Sequence, residues 1–228
     1  MDQECSCEAC ELKELFFKNV SSDQLSSLCG SRIEKKYSKG EYIIEEGRFI
    51  EEFIYLKSGL VKLFVTNTDG KEQILSFAKP FDFVSLLSLF SKPHYSYSVM
   101  VIEDSTTCNI PIEHIKSLIL LNGTFAKSII EKMNRVSDAV IHESLEIRRR
   151  NLRGRIAYVL LHFSDNIYKS REFELPVNRK EIAEYISMTT ENVIRALTEF
   201  RKDGIIKIYG KFIEILAYDK LVQISEHG

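Results

Sequence analysis

The sequence predicts an α+β protein in which a domain of short strands precedes a long helix and a C-terminal helix-turn-helix. Residues 33–110 alternate in apolar and polar character between glycine-containing turns, which is the pattern of half-buried β-strands. Residues 124–147 instead repeat apolar positions at steps of three and four, as one face of a helix does. Residues 178–216 contain two short helices, a tight connection between them and a hairpin.

The β-rich segment divides into short strands at its glycine turns. Many short strands at such spacing are typical of a sandwich or a rolled barrel. Residues 12–29, which precede these strands, predict short helices, and Ser21 to Asp23 is a plausible start for the second of them. The predicted strands are Tyr42–Ile44, Phe53–Leu56, Leu60–Val65, Gln73–Phe77, Val99–Val101 and Thr106–Ile110, with turns at Lys39-Gly40, Glu46-Gly47, Ser58-Gly59 and Asp69-Gly70.

A long helix follows the β-rich domain. Residues 111–121 predict a first helix, and Thr124 can cap a second that extends to the basic run at Arg148. Its apolar residues alternate four- and three-residue steps, the spacing of a coiled-coil seam, which only Glu143 interrupts. This spacing predicts a homodimer, and the alternative is a helix that packs wholly within its own chain. The predicted dimer-interface residues are Ile129, Met133, Val136, Val140 and Ile147.

The C-terminal segment contains a helix-turn-helix pattern. An amphipathic helix at residues 152–163 precedes it, residues 180–186 form the first helix of the motif, and Thr189 is a favourable N-cap for the second. Gly204 ends that second helix. One face of the second helix is apolar and the opposite face is mostly polar. The apolar face consists of Val193, Ala196, Leu197 and Phe200.

The polar face predicts a DNA-reading helix, because the second helix of such a motif enters the major groove. Arg195 can bond guanine O6 and N7, Glu191 can accept from cytosine N4, and Ile194 favours a thymine methyl group. A hairpin with its turn at Gly210-Lys211 would lie against the phosphates as a wing. The alternative is an ordinary amphipathic helix pair with a solvated face. The predicted contacts to the DNA backbone are Arg179, Thr189, Thr190 and Lys211.

Composition and charge favour the DNA-reading interpretation. The chain is 44% hydrophobic and 28% charged, as in soluble globular proteins, and its net charge is −2. Residues 148–211 hold 14 Lys and Arg against 8 Asp and Glu, a balance of +6, whereas residues 1–147 hold 16 against 22. A basic segment that coincides with a candidate reader is the expected electrostatic footprint. No apolar run is long enough to span a membrane and no signal peptide is evident, so we expect a cytoplasmic protein.

The order of parts resembles the Crp/Fnr superfamily of bacterial transcription regulators, over roughly residues 15–217. The resemblance rests on the barrel glycines in Lys39-Gly40, Gly47, Ser58-Gly59-Leu60-Val61-Lys62 and Asp69-Gly70-Lys71-Glu72, and on Thr189, Glu191, Val193 and Arg195 in the reader. It implies a homodimer that binds a palindrome and contacts RNA polymerase. It also implies a Cys-bearing segment (1–11), a cyclic-nucleotide-binding-type β-roll with flanking helices (12–122), a dimerisation helix (123–150) and a winged helix-turn-helix (151–228).

Departures from the family pattern argue against cyclic AMP as the signal. Members that bind it carry a Glu after a Gly-Asp-Phe turn and then an Arg-Ser pair for the phosphate. Here the turn begins with Phe81, Leu86 occupies the Glu position, and residues 94–98 contain no Arg. Without that Arg, no bidentate phosphate clamp forms. The reader departs as well, since Ile194 stands where many relatives have Ser or Gly.

The cysteines resemble those of the oxygen-sensing Fnr branch, which holds an iron–sulfur cluster with three N-terminal Cys and one in the barrel. The resemblance implies a redox, oxygen or nitrosative signal and the ligands Cys5, Cys7, Cys10 and Cys108. The third N-terminal ligand departs from the branch, which places it near Phe16, so either Cys5 or Cys29 would substitute. Alternatively, Cys29 and Cys108 are core residues and the other three belong to a mobile tail.

Other functional classes have less support in the sequence. No nucleophile–base set and no phosphate-cradling glycine loop is evident, so we expect no enzyme. A barrel that binds haem or another small molecule is an alternative, although His94, His114 and His142 lie in no ligand motif. A ligand-independent DNA-binding protein is a further alternative.

Overall fold

The computed structural model describes Phe17 and residues 20–228. Two compact units divide the chain: one contains the described residues up to 63 together with 77–139, and the other contains 64–76 together with 140–228. The helices are α1 (Ser22–Gly30), α2 (Ile112–Leu121), α3 (Gly123–Arg148), α4 (Leu152–Leu161), a π-helix (His162–Tyr168), α5 (Arg179–Ile186), α6 (Thr190–Lys202) and α7 (Tyr218–His227). The strands are β1 (Ile33–Tyr37), β2 (Tyr42–Ile44), β3 (Glu52–Thr66), β4 (Glu72–Ala78), β5 (Ser98–Pro111), β6 (Glu172–Glu174), β7 (Ile206–Tyr209) and β8 (Phe212–Ile215).

A five-stranded sheet forms the β-rich domain, with the order β1-β5-β3-β4 and with β2 also paired to β5. β1 runs antiparallel to β5, from Ile33 opposite Asn109 to Tyr37 opposite Ser105. β5 therefore pairs with strands on both sides along its length. The α+β class and the predicted order of parts are confirmed.

Two long strands each join strands that the sequence predicted as separate. β3 contains the runs on both sides of Gly59, and β5 likewise spans both of the predicted strands that follow residue 98. A Cβ at Gly59 would lie 2.2 Å from Ser105 Oγ and 2.4 Å from the Asp104 carbonyl oxygen. The predicted turn at Ser58-Gly59 is thus wrong: this glycine, at φ +91°, lets β3 continue past a closely packed β5.

The core of the β-rich domain is an aromatic and aliphatic cluster. Phe17 stacks on Phe125 of α3 with 5.6 Å between ring centroids, and Phe53 packs against Phe83 at 4.8 Å. Ser21 begins α1 as predicted, because its side chain accepts the Gln24 N–H in a capping box. The cluster places the start of α3 directly on the domain core. Its other buried members are Leu25, Leu28, Tyr55, Leu86, Leu89, Cys108, Ile110, Ile112, Ile115, Leu118 and Ile129.

The predicted seam of α3 contacts its own chain. Ile129 is 1% exposed inside the core cluster, and Met133 and Val136 pack against that cluster. Ile147 is buried and Val140 is half-buried. The intrachain alternative therefore accounts for most of the predicted interface residues, and homodimer formation stays a prediction. The large apolar side chains that α3 leaves exposed are Ile130, Ile141 and Leu145.

The C-terminal domain combines four helices, the π-helix and a three-stranded sheet of order β6-β8-β7. Tyr209 pairs with Phe212, which confirms the two-residue turn of the predicted hairpin. No sequence pattern predicted β6 or α7. α7 packs on α4 and its Leu221 is fully buried, and Arg150 Nε donates to the Ser225 carbonyl oxygen at 2.7 Å.

Candidate nucleic-acid interface

Two capped helices and a short connection form the helix-turn-helix. Asn178 Oδ1 accepts the Glu181 N–H at 3.0 Å, and Glu181 Oε2 accepts the Asn178 N–H at 2.9 Å, so a capping box begins α5. Ser187 ends α5 in the left-handed conformation, with φ 55°. Thr189 Oγ1 then accepts the Asn192 N–H at 3.3 Å. The predicted N-cap of the second helix is confirmed.

The apolar face of α6 packs into the core of the C-terminal domain. The four apolar residues predicted for this face are all buried, with at most 3% exposure. Arg153 of α4 lies over the Phe200 ring at 5.1 Å and bonds Glu199 at 3.2 Å and Asp203 at 2.8 Å. These contacts orient α6 so that its opposite face is solvent-exposed.

The predicted base-reading residues share that exposed face. Glu191, Ile194 and Arg195 occupy positions i, i+3 and i+4 of α6, and Ile194 is 51% exposed. The pKa of Glu191 is lowered by its own backbone N–H and by the Thr189 hydroxyl, so its carboxylate remains ionised and can accept hydrogen bonds. Arg195 Nη2 donates to Asn192 Oδ1 at 2.9 Å. The face therefore presents an acceptor, an apolar group and an oriented guanidinium.

The predicted backbone contacts lie at the start of α5, at the start of α6 and in the hairpin turn. Arg179 Nη2 donates to the Gly210 carbonyl oxygen at 2.9 Å, which joins the start of α5 to the hairpin turn beside the exposed Lys211. Partial burial of the Arg179 guanidinium lowers its pKa. Thr189 is exposed, although its hydroxyl serves as the cap, and Thr190 is half-buried. Arg179 thus has a structural contact that the sequence did not predict.

The turn that would hold a cyclic nucleotide has an unusual first residue. Phe81 stands in place of the family's glycine and adopts φ 78°, the left-handed region that glycine favours. Asp82 Oδ2 accepts the Lys79 N–H at 3.1 Å, and burial raises the pKa of the Asp82 carboxyl. Phe81 therefore adopts a backbone conformation that glycine accommodates more readily.

The side chains that follow this turn serve the fold itself. Leu86 is 1% exposed in the core cluster. Ser85 Oγ accepts the Ile54 N–H at 2.9 Å, and Ser88 Oγ accepts the Ser96 N–H at 3.2 Å. The Ser85 hydroxyl thus satisfies the buried Ile54 N–H, which would otherwise have no partner, and the Ser88 hydroxyl bonds the backbone of the exposed Ser96.

Two of the five cysteines lie in the described part of the chain. Cys108 is 3% exposed, carries a reduced thiol and belongs to the core cluster, against which Cys29 packs. Cys29 is disulfide-bonded. The predicted ligands Cys5, Cys7 and Cys10 also lie outside it. Within Phe17 and residues 20–228, no group of three or more His, Cys, Asp and Glu side chains is arranged to hold a metal ion.

Sequence reasoning missed the residues that connect α3 to the reader. Glu143, which interrupts the seam, is 7% exposed and accepts a hydrogen bond from the Tyr185 hydroxyl of α5. Arg155 of α4 donates to the Ile186 carbonyl oxygen at 3.0 Å. The only signal in the sequence was a carboxylate at an apolar seam position.

Family comparisons cover both domains. The cyclic nucleotide-binding domain family matches residues 34–122, and the Crp-like helix-turn-helix domain family matches residues 154–224. In the part of the chain that the structure describes, no helix is both long and apolar enough to cross a membrane.

Similar proteins match most of this chain. The fumarate and nitrate reduction regulatory protein of Vibrio cholerae is 27% identical over 96% of this chain and 90% of its own length. Electron transport regulator A of Shewanella oneidensis is 26% identical over 94% and 88%. Among solved structures, FixK2 from Bradyrhizobium japonicum has a TM-score of 0.75 at 23% identity and covers 85% of this chain and 96% of its own.

These comparisons agree with the β-roll, the helix-turn-helix and the Fnr-like branch that the sequence indicated. Members of the family are transcription regulators and not enzymes, which confirms the expectation that this chain is no enzyme. With a cyclic-nucleotide-binding-type domain and a Crp-like helix-turn-helix in one chain, the protein belongs to the Crp/Fnr family of transcription regulators.

Proposed function

We propose that this regulator binds a palindromic operator in double-stranded DNA as a homodimer and reads bases with Glu191, Ile194 and Arg195. The observation that carries the proposal is the exposed face of α6, which presents these three side chains opposite a fully buried apolar face. The basic balance of residues 148–211 supports it, because phosphate neutralisation supplies much of the affinity for DNA.

Each reading residue has a chemical role. The Arg195 guanidinium bonds guanine O6 and N7, and the ionised Glu191 accepts from cytosine N4. Ile194 has no hydrogen-bonding group in its side chain, so it favours a thymine methyl group. Arg179, Thr189, Thr190 and Lys211 lie where contacts to phosphates would fix the register.

The dimer would form through α3. Ile130 and Ile141 are eleven residues apart, about three helical turns, and Leu145 follows one turn later. All three are more than half exposed, with polar residues between Ile130 and Ile141, so a second copy of α3 would bury two apolar patches on one side of the helix. We expect Ile141→Glu to yield monomers in analytical ultracentrifugation and His142→Glu, at an exposed neighbour, to remain dimeric. A dimeric Ile141→Glu protein would contradict this interface.

Selection of bound duplexes from random sequence tests the DNA assignment. We expect a palindrome, and we expect Arg195→Ala to lose roughly 1–3 kcal/mol of discrimination at one base pair of each half-site. Arg201→Ala is the matched control, since it removes the same charged group from an exposed position in the last turn of α6. The base-reading role is wrong if Arg195→Ala keeps the parent's sequence preference.

The signal is not a cyclic nucleotide in this proposal, because Leu86 is buried and the Ser85 and Ser88 hydroxyls bond the protein backbone. Titration with cyclic AMP should leave operator affinity unchanged, and a clear increase in affinity would contradict the proposal.

The DNA-bound dimer would contact RNA polymerase, as regulators of this family do.

A redox signal is the second part of the proposal, and Cys108 supports it. Cys108 lies in the core cluster with Phe17, which follows Cys10 by seven residues, a reach of at most about 24 Å. Thiolates at Cys7, Cys10 and Cys108, with Cys5 or Cys29 as the fourth, are chemically suited to an iron–sulfur cluster. Cys29 packs against the same hydrophobic core. It could act as an iron ligand only after its disulfide is reduced.

Iron and sulfide content tests this part separately from DNA binding. Anaerobically purified parent protein should be brown, and Cys108→Ala should lose its iron. Cys5→Ala and Cys29→Ala identify the fourth ligand, because only the variant that lacks a ligand should lose iron. A colourless, iron-free parent protein would overturn the redox proposal and leave the DNA assignment in place.

A further inference from the structure

A buried carboxylate connects the last turns of α3 to the first helix of the reader. Glu143 is 7% exposed and Tyr185 is 4% exposed, and the Tyr185 hydroxyl donates to Glu143 Oε1. His162 Nδ1 lies 3.8 Å from the same oxygen. The carboxylate is therefore hydrogen-bonded to α5 and lies beside the π-helix.

A second connection lies one residue further along α5. Arg155 Nη1 donates to the Ile186 carbonyl oxygen at 3.0 Å. The same guanidinium donates through Nε to the Arg150 carbonyl oxygen at 2.9 Å and through Nη2 to that of Arg148 at 3.3 Å. Arg155 thus ties the end of α5 to the chain segment that leaves α3.

These two connections are made just before the second helix of the motif begins. Ser187, which directly follows Tyr185 and Ile186, adopts the left-handed conformation with φ 55°, and the Met188 N–H donates to the Ala183 carbonyl oxygen at 2.9 Å. Thr189 then caps α6. A rotation at the end of α5 would consequently move the N-terminus of α6, where the base-reading residues lie.

The position of Glu143 is energetically unfavourable for a helix seam. Its neighbours in the heptad pattern are apolar, and a buried carboxylate is destabilising unless it is paired. An apolar residue would satisfy the helix equally well, so the carboxylate is explained by its bond to Tyr185. In some proteins a buried polar pair of this kind selects one packing arrangement among several.

We propose that the Glu143–Tyr185 hydrogen bond, supported by Arg155, is the coupling contact that fixes the orientation of the reading helix relative to the end of α3. In a dimer, this contact would set the distance between the two reading helices and hence the half-site spacing that the protein accepts. Tyr185, Glu143 and Arg155 are positioning residues and contact no base. The inference rests on the proposed binding of palindromic DNA.

Spacing preference is the readout that separates coupling from simple structural support. The full-length protein is titrated onto the selected palindrome, onto the same palindrome with one or two base pairs inserted between half-sites, and onto an isolated half-site. We expect Tyr185→Phe to reduce the ratio of affinities for correct and incorrect spacing by roughly 3- to 30-fold. Its half-site affinity should equal that of the parent.

Two variants serve as controls. Tyr218→Phe removes a hydroxyl that donates to Asp165 Oδ2 at 2.9 Å in the same domain, and it should keep the parent's spacing ratio. Glu143→Gln retains an oxygen that can accept from Tyr185 and should keep most of the ratio, whereas Glu143→Leu should lose it as Tyr185→Phe does.

If Tyr185→Phe and Tyr218→Phe have the same ratio of affinities for correct and incorrect half-site spacing, the inference is wrong. A lower free energy of unfolding in Tyr185→Phe, measured in urea, would not change that conclusion. Parent protein that prefers no palindrome would overturn the proposed function itself, and this inference with it. Parent protein that binds the palindrome without any preference for spacing would overturn only the inference.

Discussion

Arg195 Nη2 donates to Asn192 Oδ1 across 2.9 Å on the exposed side of α6. The bond joins residues one turn apart and restrains a long side chain before any DNA is present. A restrained guanidinium loses less conformational entropy on binding than an unrestrained one.

We therefore expect Asn192→Ala to weaken recognition without abolishing it. The loss should be about 0.5–1.5 kcal/mol, the usual contribution of one such hydrogen bond, and smaller than the loss in Arg195→Ala. Fluorescence anisotropy on the operator and on a variant with the guanine replaced measures it. An Asn192→Ala protein with the parent's affinity for both duplexes would show that the restraint has no role in binding.

Ile194→Ser should change the base that is preferred at one position of each half-site. A serine hydroxyl can donate and accept, so the preference for a thymine methyl group should fall by about 1–3 kcal/mol. Ile194 is 51% exposed and Thr198 Oγ1 bonds only its carbonyl oxygen, so folding should be unaffected. Selection from random sequence with both proteins measures the change, and identical selected sites would contradict it.

Gly59→Ala should destabilise the β-rich domain. The added Cβ would lie 2.4 Å from the Asp104 carbonyl oxygen, and φ +91° is strained for alanine, so we expect a loss of about 2–4 kcal/mol in the free energy of unfolding. Gly70→Ala is the matched control, since Gly70 has φ +78° and no atom within 4 Å of an added Cβ. Urea unfolding compares the two variants. Equal losses in the free energy of unfolding would show that the close approach of β5 to Gly59 does not contribute to the loss.

Asp82→Asn should stabilise the protein near neutral pH. Burial raises the folded-state pKa of Asp82, so the folded state holds this proton more tightly than the unfolded state does. The parent's stability from this group is consequently present at low pH and is lost as pH rises through the folded-state pKa. Asparagine avoids that loss and can still accept the Lys79 N–H. Thermal unfolding at pH 4 and pH 7 should show that Asp82→Asn is more stable than the parent only at pH 7. Greater stability at pH 4 alone would show that the folded-state pKa of Asp82 is not raised.

Local patterns were sufficient for the parts of the protein whose structure depends on nearby residues. Ser21, Asn178 and Thr189 cap helices because each accepts from a backbone N–H three residues on, an interaction confined to one turn. The apolar stripe of α6 and the hairpin turn at Gly210 are equally local, and both are confirmed.

The seam of α3 was visible in the sequence, but the partner of the seam was not. Helical spacing makes Ile129, Met133 and Val136 apolar on one side whether they meet a second chain or the core of their own. Only the packing of Phe17, Phe125 and the β-rich domain decided that this side faces inward. Ile141 and Leu145, nearer the end of the helix, are exposed.

The sequence by itself determined the order of the domains, the capped helices and the residues on the outer face of α6, because each follows from periodicity or from contacts within one turn. Tertiary structure decided that Gly59 continues a strand, that Arg179 bonds the wing and that Glu143 pairs with Tyr185. In each of these cases the partners lie more than 30 residues apart, and no local pattern can specify which distant groups the fold brings into contact.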